Sequence, residues 1–377
     1  MAMKPETTAL PPSTPRDVRL GLTSLDDVAY PLRWGIIGAG EISRQWALTS
    51  RECAGATMAA VAARDEDKAR AFAAKHGIEK AFGGYAAMLA SPDIDVVYIG
   101  TIDRLHKEHC LMAIEAGKHV LCEKALATNV ADAREMYAAA NEKGVMLQDG
   151  AWSRFLPAVE HARYLMEADE IGDVVMVQAD FDPYYTTQAA TLAFGAGQKP
   201  VRVQVAGGHF GAGGAILEYE GNRFANLSFI AYPSEFPEVT EYIGTRGRIT
   251  LEQPAHCPTR LTLRVPPSTP SRYADGNKPS PEQHFEFPFP DAINVPDAYP
   301  NQEGFIYQTE AVHRCLAAGL RECPQINQQE SLHNLEVLGS IHALREGSLD
   351  SIPTKPMASF DPNRQQIDQA NKDSELV

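Results

Sequence analysis

The run Arg33–Ser43 most constrains the fold, because an apolar strand breaks there into a glycine turn and then a helix. Gly38 allows the tight turn, and Gly40 lets the backbone come close to a bound group. The free N–H groups at the start of the helix, at Glu41 and Ile42, face an anion such as a pyrophosphate. A serine ends the run where the motif's third glycine is expected. The pattern predicts a dinucleotide site, and a structural glycine turn in another α/β protein is the alternative.

Strand and helix patterns alternate over the next hundred or so residues, about the length of one doubly wound domain. We predict an N-terminal parallel (Rossmann) sheet over residues 31–150. Strands are predicted at Leu32–Gly38, Thr57–Ala63, Asp95–Gly100, His119–Glu123 and Val145–Gln148, and helices at Ile42–Arg51, Glu66–Lys75, Leu105–Ala116 and Val130–Lys143.

The second half changes character, because strands follow one another there with short turns, which indicates an antiparallel sheet. We predict an α+β domain built on a largely antiparallel open sheet over residues 151–348. A flexible arm is predicted over 1–30, a Pro/Ser-rich loop over 266–281 and a polar tail over 349–377. Predicted strands are Val174–Asp180, Val201–Val205, Ala215–Tyr219, Ala225–Tyr232, Glu241–Gly244 and Arg248–Leu251, and predicted helices are Ala158–Met166, Phe305–Ala318 and Ser331–Leu344.

The bulk composition excludes several classes of function. The chain of 377 residues carries a formal charge of −15, which repels phosphate backbones and argues against nucleic-acid binding. No apolar run approaches the roughly 20 residues that cross a bilayer, and the N-terminus lacks a signal-peptide core. The 6 cysteines show no zinc-type spacing, so we predict no metal and a cytoplasmic protein.

The end of the second strand bears on the choice of cofactor. An enzyme that prefers NAD usually places a carboxylate there for the ribose 2′-hydroxyl. In this chain the position falls at Ala63 and Arg64, and a guanidinium pairs well with a 2′-phosphate. Asp65 could still serve NAD, but Asp is favoured as a helix N-cap. We predict NADP, with NAD possible and a solvated Arg64 as the alternative.

From Leu32 to about Gly347 the chain resembles the glucose–fructose oxidoreductase / inositol dehydrogenase / MocA family. Within it the likeness is strongest to dimeric dihydrodiol dehydrogenases and NADP-dependent D-xylose dehydrogenases. The resemblance implies a small-molecule sugar or diol substrate and a homodimer. It is carried by Arg33–Ser43, Val61–Asp65, Tyr98–Thr101, Ala116–Lys124, Trp152–Pro157 and Gly244–Gly247.

The same resemblance implies roles for residues around the nicotinamide. Glu123 and Lys124 match the family's Glu-Lys-Pro motif, which places the lysine beside the nicotinamide and the substrate hydroxyl as the acid–base group. Thr101 and His106 match positions near the nicotinamide, although His106 could equally pack against its helix. Ala125 stands where the family has proline, so the sequence does not predict the motif's fixed kink.

Two further residues match a family segment that lines the substrate cleft. Trp152 and Arg154 offer an aromatic face and a cation, which suit stacking and hydroxyl hydrogen bonding. A core tryptophan with a surface arginine is the alternative reading.

The chain departs from the family after the first strand of the second domain. Asp180–Thr187 runs directly into Gln188–Gly195, and the connecting segment that supplies the family's second acid–base group is missing. Tyr184 and Tyr185 are nearby phenols that do not match the family position. Relatives also carry an acidic pair where Gly211–Gly214 stands. Two hypotheses follow: an active oxidoreductase that depends on Lys124, or a cofactor-binding sensor or partner subunit without turnover.

Overall fold

The structure is a computed structural model that describes residues 31–207, 212–230, 237–266, 280–291 and 293–349. The predicted arm over 1–30, most of the predicted loop over 266–281, nearly all of the predicted tail and Gly211 lie outside the described residues.

The first domain is a six-stranded, all-parallel sheet with the order β3-β2-β1-β4-β5-β6. This order reverses between β1 and β4, and ligands of open α/β sheets bind outside the carboxyl ends of the strands at such a point. The predicted Rossmann sheet is therefore confirmed. Its elements are β1 Leu32–Ile37, α1 Glu41–Ser50, β2 Ala56–Ala63, α2 Glu66–His76, β3 Lys80–Gly83, α3 Ala86–Leu89, β4 Val96–Ile99, α4 His106–Glu115, β5 His119–Glu123, α5 Val130–Lys143 and β6 Leu147–Gly150.

Local sequence explains where these elements begin and end. Asp65 caps α2 by accepting from the N–H groups of Asp67 and Lys68 at 2.9 and 3.2 Å, which confirms the predicted N-cap. Helix α5 ends at Gly144 in the left-handed conformation that glycine favours. Strand β4 is buried throughout, as expected for a strand with helices on both faces.

The second domain is an eight-stranded sheet with the order β14-β13-β12-β11-β7-β10-β9-β8. Its neighbours are antiparallel except for the parallel pair β7 and β10, so the predicted largely antiparallel sheet is confirmed. The elements are α6 Pro157–Glu167, β7 Val174–Phe181, α7 Pro183–Phe194, β8 Arg202–Gly207, β9 Ala212–Tyr219, β10 Arg223–Ile230, β11 Thr240–Gly244, β12 Arg248–Leu251, β13 Arg260–Arg264, β14 Glu282–Glu286, α8 Phe305–Ala317 and α9 Gln328–Leu349.

The last segment of the chain returns to the first domain. Trp34 of β1 donates its indole N–H to Nε2 of His313 on α8 at 3.0 Å. Gln148 of β6 donates to the carbonyl of Ile326 at 3.1 Å and accepts from the N–H of Cys323 at 2.8 Å. Because these contacts are buried, the two domains share one continuous core.

Among the described residues, no helix is long and apolar enough to cross a membrane, and no group of three or more histidine, cysteine or acidic side chains could hold a metal ion. The cytoplasmic location stays a prediction.

A buried ion cluster joins the turn after β6 to α6 and α9. Arg154 is only 2% exposed and donates to Oε1 of Glu330 at 2.7 Å. Arg163 of α6 approaches the same oxygen at 3.4 Å. The Glu330 pKa is lowered: burial alone would raise it, but Arg154 and Arg163 together outweigh that effect. The cluster therefore holds two cations around Glu330, and the buried carboxylate of Glu160 lies 3.7 Å from Nε of Arg163 as a second counter-charge.

We expect Glu330→Gln to lower the free energy of unfolding by about 3 kcal/mol, because it leaves the buried guanidinium of Arg154 without its counter-charge. Urea denaturation followed by circular dichroism measures this. Glu282→Gln is the control, because it breaks an exposed pair with Arg264 and should cost less than about 1 kcal/mol. Equal effects of the two variants would contradict a structural role for the cluster.

Candidate active site

The glycine turn after β1 has the geometry that close approach of a phosphate requires. Gly38 has φ +103°, and a Cβ there would lie 3.0 Å from the carbonyl oxygen of Gly100. A Cβ on Gly40 would meet nothing within 4 Å, so the space above the helix start is open. Gly40 is the N-cap of α1 and provides no side-chain cap. The turn therefore leaves both room and helix N–H groups for an anion.

The serine that replaces the motif's third glycine packs against a glycine on the neighbouring strand end. A Cβ on Gly100 would lie 2.2 Å from Oγ of Ser43, so only glycine fits opposite that side chain. The helix can thus still pack closely on the sheet, because the glycine stands at position 100, opposite Ser43.

A cavity of about 430 Å³ extends from this turn toward the end of β2. Arg64 and Lys68 line it, together with Tyr85. Asp65 also lines it, but one oxygen of its carboxylate already accepts the two N–H groups that begin α2. The charge that this end offers a ligand is therefore mainly positive. The remaining lining residues are Gly38, Ala39, Gly40, Glu41, Ile42, Ala63, Gly100, Thr101, Ile102 and Leu105.

Thr101 and His106 have different positions relative to this cavity. Thr101 lines it, and its hydroxyl lies 3.0 Å from Nδ1 of His109. His106 is buried, with Nδ1 2.8 Å from the carbonyl of Ala125 and Nε2 2.9 Å from the carbonyl of Thr101. His106 lines neither this cavity nor the next one. It connects the loops after β4 and β5, so the structure places it behind the site.

Glu123, the last residue of β5, is buried beneath the site. Tyr98 donates its hydroxyl to Oε1 of Glu123 at 2.8 Å, and the Tyr98 ring stacks on Trp46 with centroids 4.0 Å apart. Burial raises the Glu123 pKa from 4.5 to about 7, since the charged carboxylate loses its water.

Lys124 follows at the carboxyl end of the sheet, with its side chain 43% exposed. The Lys124–Ala125 peptide bond is cis, so the kink that the sequence left unpredicted is present without proline. The Lys124 ammonium lies 3.7 Å from Oδ2 of Asp182. Asp182 alone separates β7 from α7, and its other oxygen accepts from the N–H of Tyr185 at 2.7 Å as the helix N-cap. The direct run from strand to helix thus brings a carboxylate to the lysine.

A second cavity, of about 470 Å³, lies around Lys124 and shares Ile42 with the first. Trp152 lines it, with its ring 5.0 Å from that of Phe305. The prediction that Arg154 lines this cleft is not met, because that side chain points into the buried ion cluster with Glu330 instead. The remaining lining residues are Glu123, Ala151, Ser153, Phe181, Asp182, Tyr184, Tyr185, Gln188, Glu238, His256, Tyr299, Pro300 and Gln302.

Two of the three phenols that line the cavity, Tyr184 and Tyr185, are hydrogen-bonded to the protein. Tyr184 donates its hydroxyl to the carboxylate of Asp149, with both oxygens at 2.8 Å. Tyr185 donates its hydroxyl to the carbonyl of Ala255. Burial raises the pKa of each phenol well above its usual value. Neither is therefore a ready proton acceptor, in agreement with the sequence-based argument.

Sequence reasoning missed three residues of the site. Lys68 was readable as a cation one helical turn after Arg64. Asp182 followed by proline is the signature of an N-cap and first helical residue, which marks the start of α7. His256 lies in the loop between β12 and β13, and no local pattern connects that loop to Lys124.

A larger groove of about 980 Å³ lies at the opposite end of the second domain, lined by residues such as Asp169, Thr191 and Arg223. None of the glycine-turn residues and neither Lys124 nor Asp182 lines it. A choice of the active site by cavity volume alone would favour this groove. We place the site at the two smaller cavities because they meet at the carboxyl edge of the parallel sheet.

Comparison with known proteins agrees with this assignment. A family model described as an oxidoreductase family with an NAD-binding Rossmann fold matches residues 32–151. The trans-1,2-dihydrobenzene-1,2-diol dehydrogenase of Sus scrofa is 32% identical over 329 residues, which cover 80% of this chain and 92% of the relative. The Xenopus laevis protein of the same name is 34% identical over 328 residues, covering 79% and 93%. The chain belongs to the Gfo/Idh/MocA oxidoreductase family.

Solved structures share the fold. A 3-ketoreductase from Actinomadura kijaniata in complex with NADP and TDP-benzene matches with a TM-score of 0.66 and 22% identity, covering 83% of this chain and 97% of that one. A levoglucosan dehydrogenase in complex with NADH and levoglucosan matches with a TM-score of 0.70 and 17% identity, covering 84% and 98%. This member of the Gfo/Idh/MocA family is an NAD(P)-dependent oxidoreductase.

We expect Glu123→Gln to remove a pH-dependent loss of stability. The folded-state pKa of Glu123 is raised. The protonated carboxyl therefore contributes to the stability of the fold below about pH 4.5, and this contribution is lost as pH rises through about 7. The Tm of the variant minus that of the native protein should therefore rise between about pH 5 and about pH 8. Glu115→Gln, at an 85% exposed side chain, is the control and should give a flat difference. A flat difference for Glu123→Gln as well would contradict the raised pKa.

Proposed function

We propose that this chain is an NADP-dependent dehydrogenase that oxidises a CH–OH group of a sugar or a trans-dihydrodiol. The observation that carries the proposal is the position of Lys124. Its side chain lines the second cavity, which shares Ile42 with the dinucleotide-type cavity, and its ammonium lies 3.7 Å from Asp182.

The two cavities have separate roles, one for the cofactor and one for the substrate. The glycine turn, Thr101 and the basic end at Arg64 and Lys68 would hold the dinucleotide. A bound nicotinamide supplies the hydride acceptor. Lys124, as the neutral amine, would accept the hydroxyl proton when the hydride leaves for the nicotinamide, and Asp182 orients the lysine nitrogen. The cavity walls hold the carbon skeleton of the substrate beside them and exclude water.

The substrate class rests on the chemistry of the second cavity and on the relatives. Trp152 and Phe181 provide apolar ring faces, while Asp182, Gln188 and Gln302 provide polar groups. A flat or ring-shaped molecule with several hydroxyl groups suits that combination. The relatives named above are dehydrogenases of a trans-dihydrodiol, and one structural neighbour holds a sugar-derived substrate.

The preference for NADP rests on the end of β2. Arg64 and Lys68 give this end of the cavity two cations, and the carboxylate of Asp65 is engaged by backbone N–H groups. A 2′-phosphate gains charge-assisted hydrogen bonds there, whereas a 2′-hydroxyl finds no free carboxylate at Ala63.

We expect Arg64→Gln to raise the Kd for NADPH by at least about tenfold, because one charge-assisted hydrogen bond is lost. The Kd for NADH should change little, since that cofactor has no 2′-phosphate. Isothermal titration calorimetry with both nucleotides measures this. Arg70→Gln is the control, because Arg70 lies on the helix that follows Arg64 but pairs with Glu66 outside the cavity. Equal losses for NADPH and NADH would contradict a 2′-phosphate contact.

We expect Lys124→Met to lower kcat by at least about 100-fold while the Kd for NADPH changes by less than about threefold. The assay follows reduced nicotinamide with NADP⁺ and D-xylose, D-glucose or trans-1,2-dihydrobenzene-1,2-diol. Lys143→Met is the matched control, because Lys143 is 40% exposed and pairs with Glu115 far from the site. No turnover of the native protein on any of these substrates would count against the proposal.

A homodimer is also proposed, through the open face of the second sheet. Ile216 of β9 and Phe224 of β10 are 40% and 37% exposed there, which is unusual for large apolar residues on neighbouring strands. Their burial against a second copy would remove that apolar surface from water.

A further inference from the structure

We propose that His256, oriented by Glu238, is a hydroxyl-binding group that makes the site select substrates with two neighbouring hydroxyl groups. This inference rests on the proposed function, because it assigns the reacting hydroxyl to Lys124 and the adjacent hydroxyl to His256. Both side chains line the same cavity of about 470 Å³.

The His256 ring has a defined tautomer. Its Nδ1 lies 3.1 Å from Oε2 of Glu238, and a carboxylate only accepts hydrogen bonds. Nδ1 therefore carries the hydrogen, and in the neutral ring Nε2 carries the lone pair. A lone pair on a neutral imidazole is an acceptor for the O–H of an alcohol. The carboxylate therefore fixes which ring nitrogen donates and which one accepts before any ligand binds.

The ring is also held in one plane. His256 stacks on Phe181 with centroids 4.1 Å apart and an interplanar angle of 10°. Trp152 and Tyr185 meet it edge-on, at 6.1 and 6.4 Å. Three rings from three different elements thus fix the direction in which Nε2 accepts.

The loop that carries His256 is fixed on both sides. The N–H of Ala255 donates to the carbonyl of Glu238 at 2.8 Å, which ties the loop to the residue that orients the imidazole. Asn301 donates its side-chain amide to the carbonyl of Cys257 at 2.7 Å. A binding group on a fixed loop loses little entropy when a ligand arrives.

A substrate hydroxyl would replace only a weak contact at Nε2. The thiol of Cys257 lies 3.3 Å from Nε2, and it also lies 3.5 Å from the carbonyl of Pro300. A thiol is a weak donor, so an alcohol O–H is the better partner for the imidazole. Burial raises the Cys257 pKa, which keeps this sulfur protonated and unreactive.

Tyr184, Tyr185 and Asp182, which also line the wall, are less suited to receive a hydroxyl proton. Tyr184 and Tyr185 donate their own hydroxyl hydrogens to Asp149 and to the carbonyl of Ala255. Asp182 accepts from the N–H of Tyr185 and pairs with Lys124. His256 is therefore better suited to accept than these three groups. The side-chain oxygens of Gln188 and Gln302, which are buried and have no hydrogen-bond partner among the described residues, are the competing acceptors of the wall.

The test compares a diol with a matched alcohol that lacks the second hydroxyl. Trans-1,2-dihydrobenzene-1,2-diol and cyclohex-2-en-1-ol are assayed with NADP⁺, and the ratio of their kcat/KM values is measured. His256→Phe keeps a ring to stack on Phe181 but has no acceptor, so the preference for the diol should fall by at least about tenfold. Glu238→Gln should lower it less, because the imidazole remains. General damage to the fold affects both substrates equally and cancels in the ratio.

His284→Phe is the matched control, because His284 is an exposed residue of β14 outside the cavity. Its ratio should equal that of the native protein. An unchanged ratio in His256→Phe, with the native protein turning over the diol, would overturn this inference and leave the proposed function standing.

A binding measurement separates the two proposals if turnover is absent. Quenching of tryptophan fluorescence in the enzyme–NADPH complex gives the Kd of each alcohol. One outcome is that the native protein binds the diol without turnover and that His256→Phe raises the Kd of the diol by at least about tenfold. That outcome would support the hydroxyl site and reject the dehydrogenase. Failure of the native complex to bind either alcohol would reject both.

Discussion

A single buried carboxylate joins the parts of this molecule that make the site. Asp149 lies on β6, one residue before the strand ends, and it accepts hydrogen bonds from Tyr184 of α7 and Ser331 of α9. Burial raises its pKa, and the two hydroxyl donors partly offset that effect. Because a buried carboxyl without partners is costly, α7 and α9 are held to the end of β6. The start of α7, with Asp182, is thereby placed beside Lys124.

The first domain could be predicted closely because its determinants are local. The glycine turn, the Asp65 N-cap and the buried strands each depend on residues near one another in the chain. The short strand Lys80–Gly83 was missed, because its four residues are only partly buried and carry no alternating or continuous apolar pattern. Dinucleotide binding could also be inferred from the sequence, because the glycine turn and the helix start that it needs are adjacent in the chain.

The second cavity could be predicted only in part, because its walls come from segments far apart in sequence. Arg154 was assigned to the cleft from its neighbour Trp152, yet its position depends on Glu330, 176 residues later. His256 depends on Glu238 and Phe181, which approach it only through the sheet. The family's Glu-Lys motif pointed to Lys124, which lines this cavity. Its partner Asp182 could not be inferred from the sequence, because its position beside Lys124 depends on the single-residue connection between β7 and α7.

The return of the last helices to β1 has a consequence for how the chain is made. Trp34 is completely buried, and its indole hydrogen bonds to His313, which leaves the ribosome some 279 residues later. The nucleotide-binding half therefore stays incomplete during most of synthesis, with an aromatic surface that its own strands do not cover. Chaperones that bind nascent apolar segments would have their longest opportunity at this end of the polypeptide. The first half therefore depends on the last helices to complete the packing around Trp34.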